Sequence, residues 1–156
     1  MNNDFSIKKI RGRRVWDSRG RPTVETEVVL KNGGFGRAIA PAGASTGSGE
    51  AVDLRDNMKA FGGYGVDNAV ANVNGEIADI LLGQNAFDQK NIDQCLVNLD
   101  GTENRGRLGG NAMIATSMAI AHAAANGEKK PLWRYLRDKE THLSKKIVLP
   151  LPEIQI

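Results

Sequence analysis

Cysteine is almost missing from this chain. Cys95 stands alone among 156 residues, so no disulfide forms within it, and the composition fits a reducing compartment. Aromatic residues make up only 5% of the sequence, which is poor in the rings on which single-stranded nucleic acid stacks. The two histidines, His122 and His142, lie far apart, and neither has a second His or Cys at metal-ligand spacing. No apolar run approaches the roughly 18 residues of a membrane-spanning helix. The segment Met1-Asn2-Asn3-Asp4-Phe5 lacks the apolar centre of a secretory leader. There is no nucleophile elbow, no P-loop lysine, no internal repeat and no low-complexity tract. The expectation is a cytoplasmic protein with no membrane partner.

What is present is an ordinary globular composition. Hydrophobic residues account for 40% and charged residues for 25%, enough for one domain with its own core. The net charge of +3 is unevenly spread. Lys8, Lys9, Arg11, Arg13, Arg14, Arg19 and Arg21 fall within 14 residues, whereas residues 50–56 carry Glu50, Asp53 and Asp56 against Arg55 alone. A basic cluster is one signature of a nucleic-acid face. Here Ile7, Ile10, Val15 and Trp16 interleave with the charges, as in a strand with one wet face, and that reading is the better one.

The first 41 residues read as β and most of the rest as α. Ile7–Trp16 is a strand, and Asp17-Ser18-Arg19-Gly20-Arg21-Pro22 is a turn. Val24, Thr26, Val28 and Leu30 alternate with Glu25, Glu27, Val29 and Lys31, the period of a half-buried strand. Asn32-Gly33-Gly34 is a hairpin signal, and Phe35–Ala40 returns as a third strand. Val66, Val70, Val73, Ile77 and Ile80 form a helical stripe, and Ile92, Leu96 and Leu99 form another. Asn111–Asn126 is a helix of small residues, ended by Gly127, and Pro131 opens a short helix through Leu136. The charged stretch 138–146 reads as a linker. The apolar run Ile147-Val148-Leu149, with Ile154 beyond it, reads either as the threshold of a second domain or as a strand pairing back onto the meander.

The segment Pro41-Ala42-Gly43-Ala44-Ser45-Thr46-Gly47 stands out. Its side chains are small, its hydroxyls are bracketed by glycines, and its backbone is free to approach a ligand closely. An ordinary surface loop has the same composition. Other chemistry is thin: His122 reads as a packed helical residue, while Asp53, Asp56, Asp100 and Glu103 suit helix-end and loop roles. No complete catalytic set is visible.

Several strings together resemble enolase (phosphopyruvate hydratase). They are Val15-Trp16-Asp17-Ser18-Arg19-Gly20-Arg21-Pro22-Thr23-Val24-Glu25, Pro41 through Gly47, Leu99-Asp100-Gly101-Thr102-Glu103-Asn104 through Gly109-Gly110-Asn111-Ala112, and Pro131-Leu132-Trp133. They occur in that family's order, and the resemblance covers residues 6–152. It implies an α+β fold: a three-stranded antiparallel meander followed by a layer of about four helices, as in the family's N-terminal capping domain. Residues 1–137 would form that domain and 138–156 the linker to a (β/α) barrel roughly twice this length, which this chain does not include.

The resemblance also implies a function. Enolases interconvert 2-phosphoglycerate and phosphoenolpyruvate in glycolysis and gluconeogenesis, with a lysine base and two magnesium ions. The base and the carboxylates of the first metal belong to the barrel, so the chain alone would be inactive and would hold no Mg²⁺ stably. The loop matches the family's lid. Ser45 would supply hydroxyl and carbonyl oxygens to the second magnesium, while Gly43, Ala44, Thr46 and Gly47 shape and hinge the closure. Arg13 and Glu25 match residues that ion-pair with a partner subunit in enolase homodimers. Three places depart from the family's usual pattern. Arg55-Asp56-Asn57-Met58 stands where Arg-Asp-Gly-Asp is usual, Gly110 where alanine is usual, and Leu151-Pro152-Glu153 begins an atypical end. A divergent enzyme acting on another carboxylate or phosphate substrate, or a stand-alone interaction module, are the alternatives.

Overall fold

The computed structural model describes residues 4–40, 42–43, 47–140 and 151–152. Expectations that fall on Ala44, Ser45, Thr46, His142, Ile147–Leu149 and Ile154 lie outside the described residues. β1 (Ile7–Trp16), β2 (Pro22–Leu30) and β3 (Phe35–Ala40) form an antiparallel sheet in the order β1-β2-β3, as the alternation predicts. Ile7 and Ile10 are three residues apart, a spacing that a regular strand sends to opposite faces. A register shift between Ile7 and Lys9 corrects this, so that Ile7 pairs with Leu30, Ile10 with Val28, and both are buried. At the hairpin Gly33 takes φ 90°, and the Gly34 amide donates to Asn32 Oδ1 at 2.9 Å.

The helices cover one face of the sheet. α1 (Asp67–Asn72) continues through a π-helical segment (Val73–Ile77) into α2 (Ala78–Leu81), followed by α3 (Gln89–Asp100), α4 (Gly110–Gly127) and α5 (Leu132–Lys139). Val66, Val73 and Ile77 of the expected stripe are fully buried, with Val70 and Ile80 packed beside them. Where the π-helical segment begins, Asn74 meets the free edge of β1. Its side chain accepts from the Gly12 amide at 2.9 Å and donates to the Gly12 carbonyl at 3.0 Å, closing an edge otherwise open to further strand pairing. Gly12 allows this approach, because a Cβ there would sit 2.7 Å from Val73 Cβ.

α4 lies directly on β3. The strand's inward side carries only Gly36, Ala38 and Ala40, and the helix meets it with Ala112, Ala115, Ala119 and Ala123, all fully buried. A Cβ on Gly36 would overlap the Ala119 carbonyl and the Ala123 amide, and one on Gly34 would stand 2.7 Å from the Ala123 carbonyl. The small residues of α4 are therefore a seat for a strand backbone. Two boundaries differ from expectation. Gly127 is still helical, and the left-handed residue is Lys129 at φ 57°. Gly127 is small for another reason: a Cβ would come 2.8 Å from Asn32 Nδ2 and 3.0 Å from Phe5 Cε1, so the helix end packs on the hairpin. α5 extends beyond Leu136 through Lys139, with Lys130 Nζ on the Asp138 carboxylate at 2.9 Å.

The loop between α3 and α4 is built around Asp100, which is only 2% exposed. Its carboxylate accepts from the Leu108 amide at 2.7 Å, the Thr102 amide at 3.0 Å and the Thr102 hydroxyl. Burial pushes this carboxyl up, but those donors and nearby Arg107 outweigh it, and the net direction is down.

Two outcomes follow. Gly36→Ala should cost about 3 kcal/mol through overpacking, whereas Gly49→Ala, whose Cβ would meet nothing within 4 Å, should be near neutral in the same thermal-unfolding comparison. For Asp100 the folded pKa is depressed, so its contribution is present above the ordinary carboxylate pKa of about 4 and fades as pH falls through the lower folded value. Asp100→Asn should thus lower stability by about 2 kcal/mol near neutrality. Its deficit relative to the parent protein should shrink below about pH 4 in urea titrations repeated across pH.

Candidate functional site

Residues 41–59 contain no regular element among those described, yet the chain there is held closely at both ends. At the first root, the Thr23 hydroxyl donates to the Ala40 carbonyl, and Arg19 Nη1 donates to the Ala42 carbonyl at 3.2 Å. The turn that carries Arg19 is set by Asp17. Asp17 Oδ1 accepts from the Arg19 and Arg21 amides, each at 2.8 Å, and Gly20 takes φ 70°. The Arg21 amide is the main cause that holds the Asp17 carboxyl below its usual range.

The second root is pinned to the α3–α4 loop and the start of α4. The Val52 amide donates to the Asn104 carbonyl at 2.8 Å, and the Gly110 amide to the Val52 carbonyl at 2.7 Å. Asn111 then acts as a backbone mimic. Its Oδ1 accepts from the Leu54 amide at 3.3 Å, and its Nδ2 donates to the Leu54 carbonyl at 3.1 Å. Arg55 completes the clamp, reaching the carbonyls of Pro22 at 2.6 Å and Tyr64 at 2.9 Å while pairing with Asp53. Asp56 caps α1 from a distance, accepting from the Asp67 and Asn68 amides at 2.8 and 2.9 Å.

Between the two roots lies a cleft of about 270 Å³, lined by Ala42, Gly43, Glu50, Asp53, Asn111 and Ile114 among others. Gly43 is in its wall, and the Gly47 carbonyl accepts from the Glu50 amide at 3.2 Å at the far side of the loop. Ala44, Ser45 and Thr46 lie outside the described residues. The polar lining consists of oxygen and amide groups: two carboxylates, a side-chain amide and backbone. Among the described residues no group of three or more His, Cys, Asp or Glu is placed to hold a metal ion.

Arg13 and Glu25 are elsewhere, facing each other across β1 and β2 on the sheet face away from the helices. Glu25 is only 3% exposed, held between Arg13 and Arg37, and Arg13 Nη2 also reaches Glu27 at 2.6 Å. Other members of the basic cluster have partners within the domain at its surface: Arg14 bonds Asp67 at 2.8 Å, and Arg21 lies 4.4 Å from the Tyr64 ring centroid. His122 is half-buried on α4 beside Arg37 and Lys130, away from the cleft.

Two departures from the enolase pattern have local accounts. Asn57 adopts φ 54°, the left-handed region that glycine prefers and asparagine tolerates. At Gly110 a Cβ would stand 2.9 Å from Ala51 Cβ, so here the arm after the loop lies closer to α4 than an alanine permits. Sequence reasoning did not single out Asn111, Arg55 or Thr23. The available signal was a polar residue opening an otherwise apolar helix.

Comparison with known proteins agrees with this architecture. The enolase N-terminal domain family matches residues 7–136. Enolase of Methanococcus vannielii is 48% identical over the whole chain, which covers 35% of that relative, and enolase of Methanococcus maripaludis gives the same figures. Enolase of Methanocaldococcus jannaschii is 49% identical, with 36% of its length covered. The chain thus spans about a third of the length of the curated relatives it matches. With its meander, its helical layer and its loop rooted on a cleft, the chain belongs to the enolase family as an N-terminal domain.

Proposed function

We propose that this domain caps the active site of an enolase-type lyase that interconverts 2-phosphoglycerate and phosphoenolpyruvate, and that the 41–47 loop is its lid. The observation that carries the reading is the clamped pair of roots, at Ala42 and at Val52–Leu54, on either side of a cleft whose wall includes Gly43, Glu50 and Asp53. A loop with fixed roots and glycines at its inner positions moves as a flap rather than unravelling. Asn57 and Gly110 have structural reasons of their own, so neither departure calls for a different substrate.

Glu50 and Asp53 in the cleft wall carry carboxylate oxygens, the donor type a hard cation takes, but Asp53 is paired with Arg55 and most other lining residues are alanine, glycine and isoleucine, so the described residues of this chain form no complete cation site. Ser45 is the residue of this chain that would contribute hydroxyl and carbonyl oxygens to a magnesium ion. Bound there, magnesium supplies positive charge opposite the negative charge that develops on the substrate acid. The remaining work of this chain is positional. Gly43 and Gly47 let the loop fold down, and the clamped arm of residues 50–56 keeps the opposite wall in place. Closure excludes water from the substrate. The cytoplasm is the expected compartment.

The outer sheet face is the proposed subunit contact. There Arg13, Glu25, Arg37 and Glu27 form a pre-assembled charge network, flanked by the exposed rings and branches of Phe35 and Ile39. A homodimer partner would meet charges already oriented by each other.

Ser45→Ala, placed in the full-length protein that carries this domain, should lower kcat by about 100-fold while leaving first-metal affinity nearly unchanged, because the lost ligand serves the closed state. Steady-state dehydration of 2-phosphoglycerate with a magnesium titration measures both. An unaltered kcat would remove the lid assignment, and turnover by residues 1–156 alone would remove the capping role.

A further inference from the structure

We infer that Asn32 is a site of spontaneous covalent modification, deamidation through a cyclic imide, and that the fold confines this chemistry to one of three identical dipeptides. Asn-Gly occurs at Asn32-Gly33, Asn74-Gly75 and Asn126-Gly127. In each pair the glycine has no side chain to hinder attack by its amide nitrogen on the preceding side-chain carbonyl carbon. By sequence the three stand equal. The fold separates them.

Asn74 commits its whole amide to backbone. Its Oδ1 accepts from the Gly12 amide at 2.9 Å, and its Nδ2 donates to the Gly12 and Val70 carbonyls, each at 3.0 Å. The group that would have to leave is therefore held twice. Asn126 lies in the last turn of α4 with Gly127 still helical after it, and its Oδ1 turns to the Phe35 amide at 3.0 Å. A helical backbone also tilts a side chain toward the preceding turn, away from the next residue's amide.

Asn32 is folded the other way. Its Oδ1 accepts from the Gly34 amide at 2.9 Å, two residues on, an Asx turn that lays the side chain over the intervening Gly33 amide. The same Gly34 N–H faces the oxygen on which negative charge develops when the carbon is attacked. Among the described residues no acceptor holds Asn32 Nδ2. Gly33 is exposed, a Cβ on it would meet nothing within 4 Å, and its amide is held by the Leu30 carbonyl at 3.0 Å. Opening that one turn bond frees the nucleophile.

Water is the only co-reactant. Hydroxide takes the Gly33 amide proton, the nitrogen bonds to Asn32 Cγ, the Cγ–Nδ2 bond breaks, and the amino group takes a proton from water and leaves as ammonia. Water then opens the imide at Cγ, giving aspartate, or at the main-chain carbonyl, giving isoaspartate with an extra methylene in the backbone. Either product places a carboxylate on the hairpin where Asn32 packs on Gly127, at the C-terminal end of α4. Negative charge is unfavourable at that end of a helix, so the modification loosens α4 on the hairpin.

The test is to age the 156-residue chain at mildly alkaline pH, native and in urea, and to follow all three sites by peptide mass spectrometry. Methylation by an isoaspartyl methyltransferase counts the isoaspartate formed. In the native chain residue 32 should convert about tenfold faster than residues 74 and 126, in proportion to hydroxide, whereas in urea the three rates should converge. Asn32→Gln, whose longer side chain closes a less favourable ring, should remove most of the methylation. The aged fraction, separated by its added charge, should melt roughly 2–4 °C below the fresh protein. No reaction at residue 32 in the native chain overturns the proposal, and so does native reaction at Asn74 or Asn126 that keeps pace with it. The same preference for residue 32 in urea overturns the role of the fold, and an unchanged melting midpoint overturns the effect on α4.

Discussion

The distance between α4 and β3 governs most of this structure. A helix normally meets a sheet through two layers of side chains. Here one layer is nearly missing, because Gly36, Ala38 and Ala40 face Ala112, Ala115, Ala119 and Ala123. The helix axis is fixed laterally as well as in depth, since the Gly36 backbone fits only between the Ala119 carbonyl and the Ala123 amide. Close packing of this kind leaves no room for sliding. The consequence reaches the cleft: the first residues of α4, Gly110 and Asn111, take their places relative to the end of β3, from which the loop departs.

The irregular stretch after β3 then becomes intelligible. A segment this long without regular structure must satisfy its backbone polar groups by other means. It does so by borrowing side chains that imitate a neighbouring strand. Asn111 presents an acceptor and a donor to Leu54, Arg55 serves two carbonyls, and Arg19 serves one. Asn74 plays the same part at the opposite edge of the sheet, against Gly12. Each is a long-range contact between a side chain and a backbone group, and those of Asn111, Arg55 and Arg19 hold the chain on the two sides of the cleft.

The regular elements were legible in the residues. Alternation at Val24–Leu30 and the Asn32-Gly33-Gly34 signal place all three strands, and the stripes at Val66–Ile80 and Ile92–Leu99 place helices that are buried as read. What escaped was tertiary in origin. Gly127 carries the sign of a helix stop, but its size answers to Asn32 and Phe5 rather than to its own dihedral angles. The helical stripe gives no warning that its middle turns are π-helical, because the buried residues keep nearly the same spacing. Glu25 looks like a solvent-facing strand residue by period, yet the flanking arginines on β1 and β3 bury it. The small residues of the loop carry only the expectation of a segment that approaches a ligand, whereas the anchors Asn111 and Arg55, which the structure places, were not legible, since a single Asn or Arg carries no sequence pattern.

The central claim is that this domain is a working cap for an enolase site. It is tested most directly by replacing the matching N-terminal third of Methanocaldococcus jannaschii enolase with this chain and assaying 2-phosphoglycerate dehydration. The account expects a cooperatively folded chimera whose kcat/KM lies within about tenfold of the parent, a difference of roughly 1.4 kcal/mol in transition-state stabilisation. A chimera that folds and unfolds cooperatively but turns over no 2-phosphoglycerate would contradict it.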